Sequence, residues 1–181
     1  WNSEEGRGSV GLTLRARDDY DGAEPAASSV AASNLVRLAA LLPGGGDAGG
    51  DGSSNANALS FQARADALFA GFSDRLANAP LAVPQLCAAA ALRAAAPLGK
   101  QVVIAGALGD ARTQALLDAA HARWAPNKVV LVLDPSDAGD ASFWGARHAQ
   151  ALDMVSAHFG GGAAEPPTAF VCQNRTCLQP T

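Results

Sequence analysis

The sequence predicts a mainly helical chain that closes with a small α/β segment, and three observations carry that expectation. Apolar residues recur at intervals of three and four through the first half. Prolines and glycines punctuate those runs at the spacing of helix ends. After Pro97 the pattern changes to short β-branched runs separated by a helical stretch, the order of a strand–helix–strand unit. Residues 1–97 therefore read as the helical part, interrupted by a surface loop over 43–57, and residues 98–181 as the α/β part.

Residues 1–27 are rich in Gly, Asp, Glu and Ser without helical period, and read as an extended segment and loop. Ser28 or Ser29 is placed to cap a first helix, with Val30, Asn34, Leu38 and Leu41 along its apolar face. Pro43 and the glycines after it end that helix, and the polar, Gly-rich run that follows is the surface loop. A second helix carries Phe61, Ala65, Leu68, Phe72 and Leu76 and stops at Pro80. Pro84 suits the first position of a third helix running to Ala95. Residues 101–105 form a strand, and Gly106 to Asp110 a turn. Residues 111–124 follow as a helix bearing Leu116, Leu117, Ala120 and Trp124, and residues 128–133 as a second strand. Parallel pairing of those two strands is the expected geometry of such a unit. A helix over 142–157 and a strand over 169–172 complete the chain.

Composition excludes several classes. A chain of 181 residues, 49% hydrophobic and 17% charged, is globular and long enough for one domain or two small pieces. Alanine dominates the apolar set and aromatics are only 6%, so the core is expected to be thin. Net charge is −4 with no basic stripe, which argues against nucleic acid or an anionic membrane as a partner. The longest uncharged run, between Arg75 and Arg93, is broken by Pro80 and Pro84 and is too short to span a bilayer. A soluble, intracellular chain is expected, and the missing initiator methionine suggests a start upstream of Trp1. Three cysteines do not make a disulfide framework, which points toward a reducing compartment.

The most suggestive chemistry lies in Asp18, Asp19, Tyr20, Asp21, Gly22, Ala23, Glu24 and Pro25. Paired carboxylates serve as general acid with base or nucleophile in glycoside hydrolysis, and Asp19 and Asp21 share one side of an extended backbone. The competing interpretation is a solvated turn whose charges suit the positive end of the next helix, and it is the one these residues favour. Asn34 is either a polar group aimed into a cavity or a hydrogen-bonded core residue. The Gly106–Asp110 turn lacks the glycines of a dinucleotide fingerprint and the Lys-Ser/Thr pair of a P-loop; Asp110 as a helix cap explains it. Cys172 and Cys177 are separated by a four-residue spacer, which suits a local disulfide or two free thiols better than a redox pair or zinc. Asn174, Arg175 and Thr176 fit a glycosylation triplet, a pattern common by chance. No nucleophile–histidine–carboxylate arrangement is visible, and His121, His148 and His158 read as structural or exposed. No cofactor or metal is expected.

Taken together, several phrases resemble one family. They are the run from Leu14 to Pro25, Ser29-Val30-Ala31-Ala32, Asn34-Leu35-Val36-Arg37-Leu38 and Phe72-Ser73-Asp74-Arg75-Leu76. Pro84, Val102-Val103-Ile104-Ala105-Gly106, Pro126-Asn127-Lys128-Val129-Val130-Leu131 and Ala169-Phe170-Val171-Cys172-Gln173-Asn174 with Cys177 follow in order. Together they resemble the C-terminal part of the spermatogenesis-associated protein 20 family, spread over nearly the whole chain. That resemblance implies an N-terminal thioredoxin-like domain and a six-hairpin α/α toroid, similar to sugar-processing enzymes. This chain would supply the toroid's last hairpins and the terminal α/β unit. Ala26 and Ser28 depart from the family pattern, which usually has Ser and Asn there, and the loop after Gly44 is lengthened.

The expected function is that of one segment of such a protein, carbohydrate-acting or carbohydrate-binding when intact. If it holds a site, Asp19, Asp21 and Glu24 are the catalytic candidates and Asn34 the binding candidate. The expected partners are the N-terminal domains of the same protein and a small carbohydrate. The alternative is a non-catalytic segment that supports the thioredoxin-like domain. A third reading is a small-ligand binder built on the Gly106–Asp110 turn.

Overall fold

The computed structural model describes residues 19–43, 60–96, 99–160, 166–173 and 176–178. The expectations for Leu14 to Asp18, for most of the 43–57 loop, and for Asn174 and Arg175 fall outside the described residues. Helices α1 (Ala27–Leu41), α2 (Phe61–Gly71), α3 (Ser73–Asn78) and α4 (Pro84–Ala94) come first, with a 3₁₀ turn (Pro80–Ala82) before α4. Strand β1 (Lys100–Ala105), helix α5 (Ala111–His121) and strand β2 (Lys128–Leu133) follow. Helices α6 (Ala138–Arg147) and α7 (Ala149–Phe159) lead to strands β3 (Thr168–Gln173) and β4 (Thr176–Cys177). The chain is thus mainly helical with a small mixed sheet.

The helical part buries one cluster made of Ala32 and Val36 of α1, Ala65 and Phe69 of α2, Phe72, Val83, and Leu86 and Ala89 of α4. The α1 face differs from the expected one. Val30 and Asn34 are exposed, while Ser29, Ala32 and Val36 turn inward. Small residues explain the shift: Ala32 and Ala89 are almost wholly buried, so α1 and α4 approach closely along that side. The second helix also departs from one continuous run. It breaks at Phe72 (φ −109°, ψ 12°), so the buried Phe72 ends α2 and starts α3. Ser60 caps α2, its hydroxyl accepting from the Ala63 N–H at 3.2 Å.

The sheet order is β2-β1-β3-β4, with β1 parallel to β2 and antiparallel to β3. The parallel pair is the one expected from the strand–helix–strand order. Alternation assigns the two faces. Val103, Ala105, Leu131, Leu133, Phe170 and Cys172 pack with Ala151, Val155 and Phe159 of α7, and Leu41 of α1 joins them. Val102, Ile104 and Ala169 pack on the other face with Leu116, Leu117 and Ala120 of α5. Both faces are covered along Val102 to Ala105, which is why that part of β1 reads as an unbroken apolar run.

Two further expectations are corrected. The helix expected over 111–124 ends at His121, leaving Trp124 exposed outside it. The helix expected over 142–157 starts earlier and is two helices, separated at His148 (φ −153°, ψ 60°). His148 leaves helical geometry and caps α7, its Nδ1 accepting from the Ala151 N–H at 3.2 Å.

Candidate functional site

Of the expected site residues, Asp21 is the one the fold buries, at 7% exposure. Its Oδ1 accepts from the Ala26 N–H at 2.8 Å, where α1 starts. Its Oδ2 accepts from the Gln85 N–H at 2.8 Å and the Leu86 N–H at 3.3 Å, in the first turn of α4. The Ser29 hydroxyl donates to the same carboxylate. One side chain therefore satisfies orphan amides at the starts of two helices, and its charge lies at the positive ends of both dipoles. Burial pushes the Asp21 carboxyl up, but the bonds from Ala26, Ser29, Leu86 and Gln85 outweigh it and hold the carboxyl below its ordinary value. The backbone joins the same anchor, the Asp21 N–H donating to the Ala82 carbonyl at 2.8 Å. The cap expected from Ser28 or Ser29 is replaced by this arrangement: Ala26 occupies the cap position, and Asp21 reaches in from five residues upstream.

Asp19, Glu24 and Asn34 are placed differently. Asp19 is partly exposed and pairs with Arg75 of α3, whose Nε donates at 2.9 Å. Glu24 and Asn34 are both on the surface. The fold therefore brings Asp19 and Asp21 to the same strand of chain but gives each its own basic or amide partner. Asp21, with both oxygens committed to backbone amides, is a poor candidate for proton exchange with a ligand.

The Gly106–Asp110 turn is tight. Gly106 sits at φ +154°, and a Cβ there would lie 2.5 Å from Thr113 Oγ1 and 2.9 Å from Pro167 Cβ. Asp110 caps α5 through the Arg112 N–H at 2.8 Å and is clasped by the Arg112 guanidinium, which holds its carboxyl below the ordinary range. A carboxylate already fills the N-terminus of α5 that an anion would need. Cys172 and Cys177 are joined in a disulfide across the β3–β4 pair, which decides between the two expected states. Among the described residues no group of three or more His, Cys, Asp or Glu is placed to hold a metal.

The sequence passed over a second region. His148 is 4% exposed, and burial pushes its imidazole below the ordinary value. With Nδ1 accepting from Ala151, the proton of the neutral ring sits on Nε2. The Gln101 amide nitrogen is placed 2.6 Å from His148 Nε2; with the ring proton on Nε2, the amide turned over would offer its oxygen as the acceptor there. Both residues line a cleft of about 1350 Å³ between α1, α4 and the N-terminal edge of the sheet. The sequence carried little signal for it, because one helical pattern was expected to run through residues 142–157.

Comparison with known proteins settles the kinship. The chain is 33% identical to human spermatogenesis-associated protein 20 over 171 residues, 94% of this chain and 19% of that protein. The rat and mouse proteins of that name are 32% and 31% identical over 169 residues each, 93% of this chain. The chain belongs to the spermatogenesis-associated protein 20 family. Its match falls on the C-terminal portion of the spermatogenesis-associated protein 20 sequences and spans 18–19% of their length. No protein-family model matches the chain, and no solved structure matches it. Among the described residues, no helix is long and apolar enough to cross a membrane.

Proposed function

We propose that this chain is the non-catalytic supporting segment of a longer, thioredoxin-fused six-hairpin protein. Helices α1 to α4 contribute the last hairpins of the toroid, residues 98–181 form a small α/β terminal segment, and carbohydrate is the substrate class of the whole. The observation that carries the supporting role is the Asp21 carboxylate, both of whose oxygens are committed to helix N-termini. The most chemical-looking residue of the segment is used to join α1 to α4.

The partner in this reading is the rest of the same polypeptide, on an apolar patch of the helical part. Tyr20 and Leu81 flank the Asp21–Ala82 backbone bond and are 58% and 94% exposed. These two apolar side chains are the contact that the rest of the polypeptide covers in this reading.

The test uses the full-length protein. Leu81→Glu is expected to lower its melting temperature and raise amide exchange around Tyr20, because a charge is driven into a packed contact. If the variant melts and exchanges like the parent, Leu81 faces solvent and the docking reading falls. Glu24→Gln and Asp19→Asn are expected to leave turnover of a panel of aryl glycosides unchanged. A collapse of kcat at unaltered melting temperature would instead return catalysis to these carboxylates.

A further inference from the structure

The cleft between α1, α4 and the sheet has a lopsided charge. Arg37, Arg93, Lys100 and Lys128 line it, yet none of its described lining residues is an aspartate or glutamate. The whole chain carries 17 acidic residues against 13 Lys and Arg, so this is a local inversion of the molecule's charge. Two of the four cations are already used. Arg93 pairs with Asp66, and Lys128 Nζ donates to the carbonyls of Ala120 and Arg123 near the end of α5. Arg37 and Lys100 are exposed at the rim, and neither is in an ion pair among the described residues.

Below the rim the lining is apolar with a polar spot. Val36, Leu41, Val129 and Met154 contribute the apolar surface, and Gln101 with His148 the polar spot. His148, held neutral, adds no charge of its own at physiological pH. The volume exceeds the roughly 300–1,000 Å³ typical of small-molecule sites, so a ligand with a body as well as a headgroup has room. A cationic rim over a low-dielectric wall also concentrates anions despite the negative chain.

We propose that this cleft binds a small organic anion, a carboxylate or phosphate ester carried on an apolar body. Arg37 and Lys100 take the headgroup, and the apolar wall takes the body. The site is independent of the supporting role, and it lies at the opposite end of the parallel strands from the Gly106 turn.

Titration calorimetry of the full chain with octanoate, octyl phosphate and octanol, each below its aggregation limit, tests this. At least one anion is expected to bind about tenfold or more tighter than the alcohol, and to weaken as salt rises. Binding by octanoate alone or octyl phosphate alone supports the site and assigns its headgroup. Arg37→Gln and Lys100→Gln are each expected to weaken the anion about fivefold, the size of an exposed ion pair, with melting temperature unchanged. Octanol binding as tightly as both anions, no binding of either anion, or two variants indistinguishable from the parent each overturn the proposal.

Discussion

Replacing Asp21 with asparagine keeps the shape of the side chain and removes one acceptor. The carboxylate places Oδ1 on the Ala26 N–H and Oδ2 on the Gln85 and Leu86 N–H groups, with the Ser29 hydroxyl as a fourth donor. An amide has one oxygen. Turned one way, its NH₂ group faces the Ala26 N–H; turned the other, it faces the Gln85 and Leu86 pair. Either way at least one charge-assisted bond becomes a donor–donor contact, at about 1.5–3 kcal/mol for each bond lost. The stabilising charge at two helix N-termini goes as well. The expected cost of Asp21→Asn is about 2–4 kcal/mol, or roughly 5–15 °C in melting temperature for a chain of this size. Urea titration at neutral pH measures it. A pH series adds a second check. The Asp21 carboxyl titrates lower in the fold than in the unfolded chain, so its stabilisation is complete above about pH 4 and lost as pH falls through the folded value. The gap between parent and variant should therefore narrow below about pH 4. A variant within about 0.5 kcal/mol of the parent at pH 7 would refute the claim that this carboxylate joins the helices.

Three other perturbations follow from the same geometry. Gly106→Ala drives a Cβ into Thr113 Oγ1 and Pro167 at a backbone angle L-residues rarely adopt, and should cost about 2–3 kcal/mol by thermal melt; near-neutrality would mean that the turn relaxes freely. Thr113 carries a buried hydroxyl with no hydrogen-bond partner among the described residues, so Thr113→Val should be neutral or stabilising by about 1 kcal/mol; a loss of that size in the same urea titration would reveal a bonded hydroxyl. Reducing the Cys172–Cys177 bond with a phosphine should lower stability by about 2 kcal/mol, the chain-entropy value for so short a loop, with faster amide exchange at Leu178, whose N–H bonds the Val171 carbonyl. Unchanged exchange there would show that β4 holds without the bridge.

Local pattern carried a large part of this molecule. The β-branched runs of β1 and β2, the prolines before α4 and the glycines after Leu41 act through propensity and backbone geometry, which neighbouring residues decide among themselves. Residues 128–133 emerged with the expected bounds, because a short apolar run bounded by a turn has few other outcomes. The family was legible too, in phrases spread along nearly the whole chain. Long-range contacts decided the rest. Asp21 reads as one acidic residue among several until α4, more than sixty positions away, supplies two of its donors. The inward face of α1 depended on where Ala89 lies, a matter of packing that period alone does not encode. Phe72 and His148 broke two expected helices because each does more for the fold out of helical geometry: one fills a core, the other caps α7. The cationic cleft draws on α1, α4, β1 and β2, whose cations are scattered singly in the sequence and meet only when the helices and sheet pack together.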